Sequence, residues 1–266
     1  MAYETITLDI DGRGVAALTL NRPDLHNAFN DVLIGELHDA VNGLADNDAA
    51  RVIVLRGAGK SFSAGADLNW MKRAAAYSLE ENEADAMRLS DMLQALNRVP
   101  KPVVALIHGA AMGGGVGLAA CADIAIAVRG AKFALTEVRL GLIPATIAPF
   151  VVAAIGQRQA RRWFLTGDRF GGETAREIGL VHEVVDDEAA LEARAGEIID
   201  ALLAGGPDAV NAAKKLVFAV AGREVTEDLR RNTAERIAAR RGSDEGREGI
   251  NAFLEKREPE WRDSDD

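Results

Sequence analysis

The stretch Val103-Val104-Ala105-Leu106-Ile107-His108-Gly109-Ala110-Ala111-Met112-Gly113-Gly114-Gly115-Val116-Gly117 decides how this chain folds. Its first five residues are a short apolar run rich in β-branched side chains, bounded by Pro102 and Gly109, which reads as a strand buried on both faces. Glycines follow, and then the opening of a helix. A strand that passes through glycines into a helix is a unit of layered α/β structure. Working outward, Val52–Leu55 and Ile124–Val128 are similar runs, each separated from the next by helix-like sequence. The helix ahead of Val103 has sharp limits. Ser78-Leu79-Glu80-Glu81 is a capping box, Ala86, Leu89, Leu93 and Leu96 fall on one face, and Pro100 and Pro102 end it. Near the start, Ile6, Leu8 and Ile10 alternate with polar residues, Asp11-Gly12-Arg13-Gly14 supplies a turn, and Val15–Leu20 completes a hairpin. Beyond Gly205-Gly206-Pro207 the strands give way to charged, Ala-rich helical segments. Ser243 opens the last of these, with Ile250, Phe253 and Leu254 on one stripe. The expected division is a strand-and-helix core over 1–204 and a helical part over 205–266, with a frayed acidic end at Asp263–Asp266.

Composition narrows the function classes. The 266 residues are 48% hydrophobic and 27% charged, an ordinary globular balance with room for one large domain or two modest ones. With 31 basic and 41 acidic side chains the net charge is −10, which disfavours nucleic acid and anionic lipid as partners. Cys121 stands alone, so no internal disulfide or Cys-x-x-Cys site can form, and a reducing compartment is expected. Met1–Thr5 lacks the basic start and apolar run of a signal peptide, which points to the cytoplasm. The most apolar stretch, Leu140–Ile155, is interrupted by Pro144 and Pro149 and falls short of the roughly 20 residues of a membrane span.

Several familiar signatures fail. Gly57-Ala58-Gly59-Lys60-Ser61 resembles the end of a phosphate-binding loop, but position 54, where the pattern needs glycine, is Val54. Met112–Gly117 does not fit the G-x-G-x-x-G of a dinucleotide site, and Ser63 lacks the first glycine of a nucleophile elbow. His26, His38, His108 and His182 show no metal-ligand spacing, so core or surface roles are expected and no metal site. Arg158, Arg161 and Arg162 recur at helical spacing without the interleaved aromatics of a nucleic-acid surface. Two turns remain, Phe62–Leu68 and Gly109–Gly115, each after a strand-like run. Small residues let backbone amides approach a ligand, and a helix start leaves N–H groups unpaired, so two such turns can build an oxyanion hole. Tight turns and close packing are the alternative use of the same glycines.

These segments, with Asp123-Ile124 and Phe133-Ala134-Leu135-Thr136-Glu137-Val138-Arg139-Leu140-Gly141, resemble the enoyl-CoA hydratase/isomerase, or crotonase, family. Asn21-Arg22-Pro23 through Asn27-Ala28 and Ala252–Arg257 extend the likeness over nearly the whole chain. The resemblance implies an α/β spiral of repeated strand–strand–helix units, a helical C-terminal trimerisation region, and a homotrimer or dimer of trimers. It implies a coenzyme A thioester as substrate and no tightly bound cofactor. By position, the amides of Ala66 and Gly114 would hold the thioester oxygen, and Ala64, Ala66, Asp67 and Leu68 would bind parts of the CoA. Phe253 and Lys256 would reach the CoA of a neighbouring subunit, and Glu137 would be the catalytic glutamate, its pKa raised beside an apolar pocket. A solvated helix face is the alternative for Lys256, and an ion pair with Arg139 for Glu137.

Two-glutamate hydratases carry their second glutamate where this chain has Gly117, a position the resemblance assigns to the substrate site. A single carboxylate suits Δ3,Δ2-isomerisation, in which one base removes and returns a proton. Ala66–Arg73, Gly117–Asp123 and Glu137–Ala145 resemble instead the bacterial methylglutaconyl-CoA and isohexenylglutaconyl-CoA hydratase branch. That likeness implies hydration of a branched, carboxylated 2-enoyl-CoA, with Lys72, Arg73 or Arg139 answering the second carboxylate. A non-catalytic CoA- or RNA-binding relative is the remaining class.

Overall fold

The computed structural model describes residues 3–262, so the acidic end at 263–266 and the first two residues lie outside it. The hairpin forms as its pattern predicts: β1 (Ile6–Ile10) pairs antiparallel with β2 (Val15–Leu20), Ile6 opposite Leu20 and Ile10 opposite Ala16. Helix α1 (Asp31–Ala45) follows, its first turn closed by the Asn30 side chain accepting from Leu33 N–H. Strand β3 (Val52–Gly57), α2 (Leu68–Ala74), α3 (Leu79–Arg98), β4 (Val103–Ile107), β5 (Ala110–Met112) and α4 (Gly114–Cys121) complete the first half. Then come β6 (Ile124–Val128), β7 (Lys132–Ala134), α5 (Ala148–Thr166), β8 (Arg169–Gly171), α6 (Gly172–Glu177), β9 (Glu183–Val185) and α7 (Glu188–Ala204). Three helices end the described chain: α8 (Pro207–Val220), α9 (Glu227–Gly242) and α10 (Asp244–Glu255).

The larger sheet has the order β1-β2-β3-β4-β6-β9, parallel except for the opening hairpin. The smaller sheet, β5-β7-β8, is extended by two isolated bridges, Ser63 to Ala111 and Phe29 to Ala66. Each strand of the large sheet from β2 to β6 is therefore followed by a short piece of the second layer and then by helical structure. This is the strand–strand–helix repeat of an α/β spiral. The short strands span three residues each, too few for any period to register in sequence.

Helix α3 carries both halves of its capping box: Glu81 N–H donates to Ser78 Oγ and Ser78 N–H to the Glu81 carboxylate. Its apolar stripe differs from expectation at one point. Leu93 and Leu96 are buried together with Met92, but Ala86 is exposed, because the first turns of α3 stand clear of the core. Asp85 is buried beside it, paired with Arg88.

The helical C-terminal part is tied to the core by charge. Lys214 of α8, 8% exposed, donates to Asp123 Oδ2 at 2.6 Å and to Lys101 O at 3.0 Å, while Asp123 also accepts from Val103 N–H. Burial pushes the Asp123 carboxyl up and the Lys214 ammonium down, and the contact between them opposes both shifts. Arg51, at the edge of β3, donates to the carbonyls of Leu203, Gly205 and Trp261. On α10, Ser243 caps the start and Ala252 is buried, whereas Ile250, Phe253 and Leu254 are exposed. No helix among the described residues is long and apolar enough to cross a membrane.

Candidate active site

The turn after β3 is held from both sides. Ser63 N–H donates to Ala110 O and Ser63 O accepts from Met112 N–H, which joins the turn to β5. On the other side Phe29 N–H donates to Gly65 O and Asp67 N–H to Phe29 O. In a parallel bridge of this kind the central residue's own amide faces away from the partner strand. The N–H of Ala66 accordingly has no acceptor among the described residues, and Ala66 is exposed.

Gly114 is the first residue of α4, where the helix leaves an N–H without an intrahelical partner. The preceding Gly113 has φ 48° and ψ −111°, a conformation that only glycine adopts without strain. A Cβ on Gly114 would stand 2.7 Å from Phe29 Cε2. Phe29 thus links the two amides: its backbone is paired at Ala66 and its ring seats Gly114. Nothing in the sequence pattern singled it out.

Glu137 opens a short 3-10 turn, Glu137–Leu140, behind β7. Its Oε1 lies 3.0 Å from where a Cβ of Gly113 would be, so the carboxylate rests against the residue that precedes the free Gly114 amide. Glu137 Oε2 is buried and has no hydrogen-bond partner among the described residues. Burial raises the Glu137 pKa above the ordinary carboxylate range, opposed in part by a hydrogen bond from its own N–H. The ion pair with Arg139 does not form, since Arg139 turns to Asp168 at 2.8 Å. A desolvated carboxylate with an open oxygen, beside an unpaired amide, is the arrangement expected of a group that takes up and returns protons.

Gly117, expected in the substrate site, sits inside α4. It is buried, and a Cβ there would overlap Ile147 Cγ2 and lie 3.6 Å from Leu93 Cδ2. The space of a second glutamate is filled by apolar side chains, and the wall there is formed by Ile147. Asp67 is buried just ahead of α2. Its carboxylate caps α2 by accepting from Asn69 and Trp70 N–H and pairs with Arg22 Nη2 at 2.9 Å, so the side chain is committed to the protein. Arg22 also donates to Ala28 O, and Asn27 reaches the carbonyls of Ala58 and Ser61. Residues 22–28 therefore form the brace behind the Ala66 turn.

Ala64 is half-buried with its N–H on His26 O, and Leu68 is 74% exposed at the start of α2. Phe253 is 82% exposed and Lys256 ends α10 with φ 58°, and that helix packs against α8 and α9. Of the cations expected near the acyl group, Arg73 pairs with Asp31 and Arg139 with Asp168, both on the exposed surface. The histidines are structural or peripheral: His26 meets Ser61 Oγ, His108 Nε2 meets Gly59 O, His182 Nδ1 accepts from Ala125 N–H, and His38 lies beside Asp39. Ser63 Oγ is buried and donates to Asn27 O.

The sequence matches the family model described as enoyl-CoA hydratase/isomerase over residues 11–264. The crystal structure of an enoyl-CoA hydratase from Shewanella pealeana superposes with a TM-score of 0.93 at 44% identity, covering 97% of this chain and 96% of that one. A crotonyl-CoA hydratase from Syntrophomonas wolfei is 34% identical over 262 residues, 97% of each chain. A 1,2-epoxyphenylacetyl-CoA isomerase from Escherichia coli is 33% identical over 259 residues, 94% of this chain and 95% of its own.

Proposed function

Because the chain belongs to the enoyl-CoA hydratase/isomerase family and is an enzyme of it, we propose that it adds water to a compact, branched 2-enoyl-CoA. The observation that carries the proposal is the buried, unpartnered Oε2 of Glu137 against Gly113, next to the free amide of Gly114. In this reading the amides of Ala66 and Gly114 bind the thioester oxygen. Glu137 takes a proton from water as the water oxygen bonds to C3, and the π electrons move onto the thioester oxygen as an enolate. The protonated Glu137 then returns that proton to C2, so the net change is addition of one water. Each amide aimed at the developing oxyanion contributes about 3–4 kcal/mol to lowering the barrier. The unshared Oε2 supports one carboxylate serving both proton steps, since Ile147 leaves no room for a second.

The resemblance of Ala66–Arg73 and Glu137–Ala145 to the methylglutaconyl-CoA hydratase branch supports a branched acyl group with a second carboxylate. Of the three cations considered for it, Lys72 is the one with no carboxylate partner among the described residues. The turn Ala64–Leu68 would cradle the CoA. Residues 205–266 would form the subunit contacts of a trimer or dimer of trimers, bringing Phe253 and Lys256 to a neighbour's CoA. The exposed apolar stripe Ile250, Phe253 and Leu254 supports that role.

The single carboxylate also suits a second reading, Δ3,Δ2-enoyl-CoA isomerisation with Glu137 as the proton shuttle. Loss of conjugated-thioester absorbance with crotonyl-CoA and methylglutaconyl-CoA tests hydration directly. We expect turnover that Glu137→Gln lowers at least about a hundredfold while acyl-CoA binding persists. Conversion of 3-enoyl-CoA to 2-enoyl-CoA with no water addition would replace hydration by isomerisation. Full activity in the variant would overturn both.

A further inference from the structure

One face of α4 runs from the Glu137 carboxylate towards a cavity, with Ile147 and Leu93 lying over its middle. Gly113, Gly117 and Ala120 share that face at helical spacing, each separated from the next by about 4.5–6 Å along the axis. Glu137 lies on Gly113 and Ile147 lies on Gly117. At the far end of this face, Ala120 borders a solvent-open cavity of about 600 Å³, lined in part by Arg98 and Asp123. Gln94 and Asn97 of α3 line it, as do Phe150 of α5 and Phe218 of α8. Leu93, the other side chain over Gly117, is next to Gln94 in α3, and Phe150 is three residues on from Ile147. Ile147 and Leu93 are both buried and both lie over Gly117, between the Gly113 end of this face and the Ala120 end that borders the cavity.

We propose that Ile147 is the specificity-determining residue that limits acyl length, acting as a plug that closes the acyl site against the cavity beyond it. The inference rests on the acyl-CoA reading given above. With Ile147 in place, a group extending past C3 along α4 meets a wall, which restricts the substrate to short or compactly branched acyl groups. Gly117 is part of the same device, because only a residue without a side chain lets Ile147 seat this closely on α4. In this proposal, truncating Ile147 uncovers the face of Gly117, and a straight chain can then cross it towards Ala120 and Phe150.

The test compares C4, C6, C8 and C10 straight-chain 2-enoyl-CoA esters with the wild type, Ile147→Ala, and Ile147→Ala combined with Ala120→Leu. For Ile147→Ala we expect the C8-to-C4 ratio of kcat/KM to rise at least tenfold. Adding Ala120→Leu, which narrows the passage from the cavity side, should return the ratio to within threefold of wild type. Parallel loss at every length in Ile147→Ala would overturn the proposal, leaving Ile147 as core packing. So would a double variant that keeps the long-chain gain. If Ile147→Ala does not fold, Ile147→Val must shift the ratio in the same direction by a smaller factor, and an unchanged ratio refutes the plug. Calorimetric binding of butyryl-CoA and octanoyl-CoA to the same variants reads the plug without turnover. A wild type inert on every enoyl ester therefore rejects the proposed reaction, whereas an unchanged binding preference in Ile147→Ala rejects the plug alone.

Discussion

Replacing Arg22 by methionine tests whether the brace behind the Ala66 turn positions the amide. Arg22 Nη2 sits 2.9 Å from Asp67 Oδ2, and the two side chains are 15% and 8% exposed, so solvent screens the pair little. Burial by itself would raise the Asp67 pKa, but the Asn69 N–H, the Arg22 guanidinium and the Trp70 N–H outweigh it and hold the carboxyl below its usual range. Methionine keeps the bulk of the stem and removes both the charge and the bond to Ala28 O. Breaking a buried pair on one side costs about 3–5 kcal/mol. The α2 amides still satisfy Asp67 in part, which places the loss near the lower end, about 3 kcal/mol, or a fall in Tm of about 6–12 °C. Arg22→Met/Asp67→Asn removes the stranded charge while asparagine still caps α2, so at least half of the loss should return. Catalysis separates positioning from bulk stability: with the 65–67 segment loosened, kcat should fall about 10- to 100-fold with KM within threefold. Thermal unfolding and steady-state hydration of crotonyl-CoA at a temperature where all variants are folded provide the readouts. A single variant as stable as wild type, or a double variant no better than the single, would refute the buried-pair argument. Unchanged kcat in a destabilised Arg22→Met would refute the link to the Ala66 amide.

Two further outcomes follow from burial. The folded-state pKa of Glu137 lies above its ordinary value of 4.5, so the ionised carboxylate costs stability at pH values above the folded pKa and costs nothing below the unfolded one. Glu137→Gln should therefore raise Tm at pH 8, with the gain shrinking to zero as pH falls well below 4.5, and a pH-independent difference in melting curves would contradict the assignment. Cys121 is buried in α4 and its thiol pKa is pushed up by desolvation, so a thiol reagent at pH 8 should label it only as the protein unfolds. Rapid labelling of the folded enzyme would show that α4 opens.

The sequence by itself determined what depends on neighbours along the chain. The β1–β2 hairpin follows from alternation and a glycine turn, and the starts of α3 and α10 follow from Ser78, Glu81 and Ser243, whose caps close within three residues. The two amide-bearing turns and Glu137 were legible because glycines and an ordered motif mark them. The three-residue strands β5, β7 and β8 were not, since they exist through pairing with distant segments and have no period of their own. Only the tertiary structure decided that Ala86 faces solvent, that Asp67 serves Arg22 across 45 residues, and that Ile147 occupies the place of a side chain missing at Gly117. The physical reason is the same in each case. Capping and alternation are local energies written in adjacent residues, whereas burial and close packing depend on which surfaces the folded chain brings together.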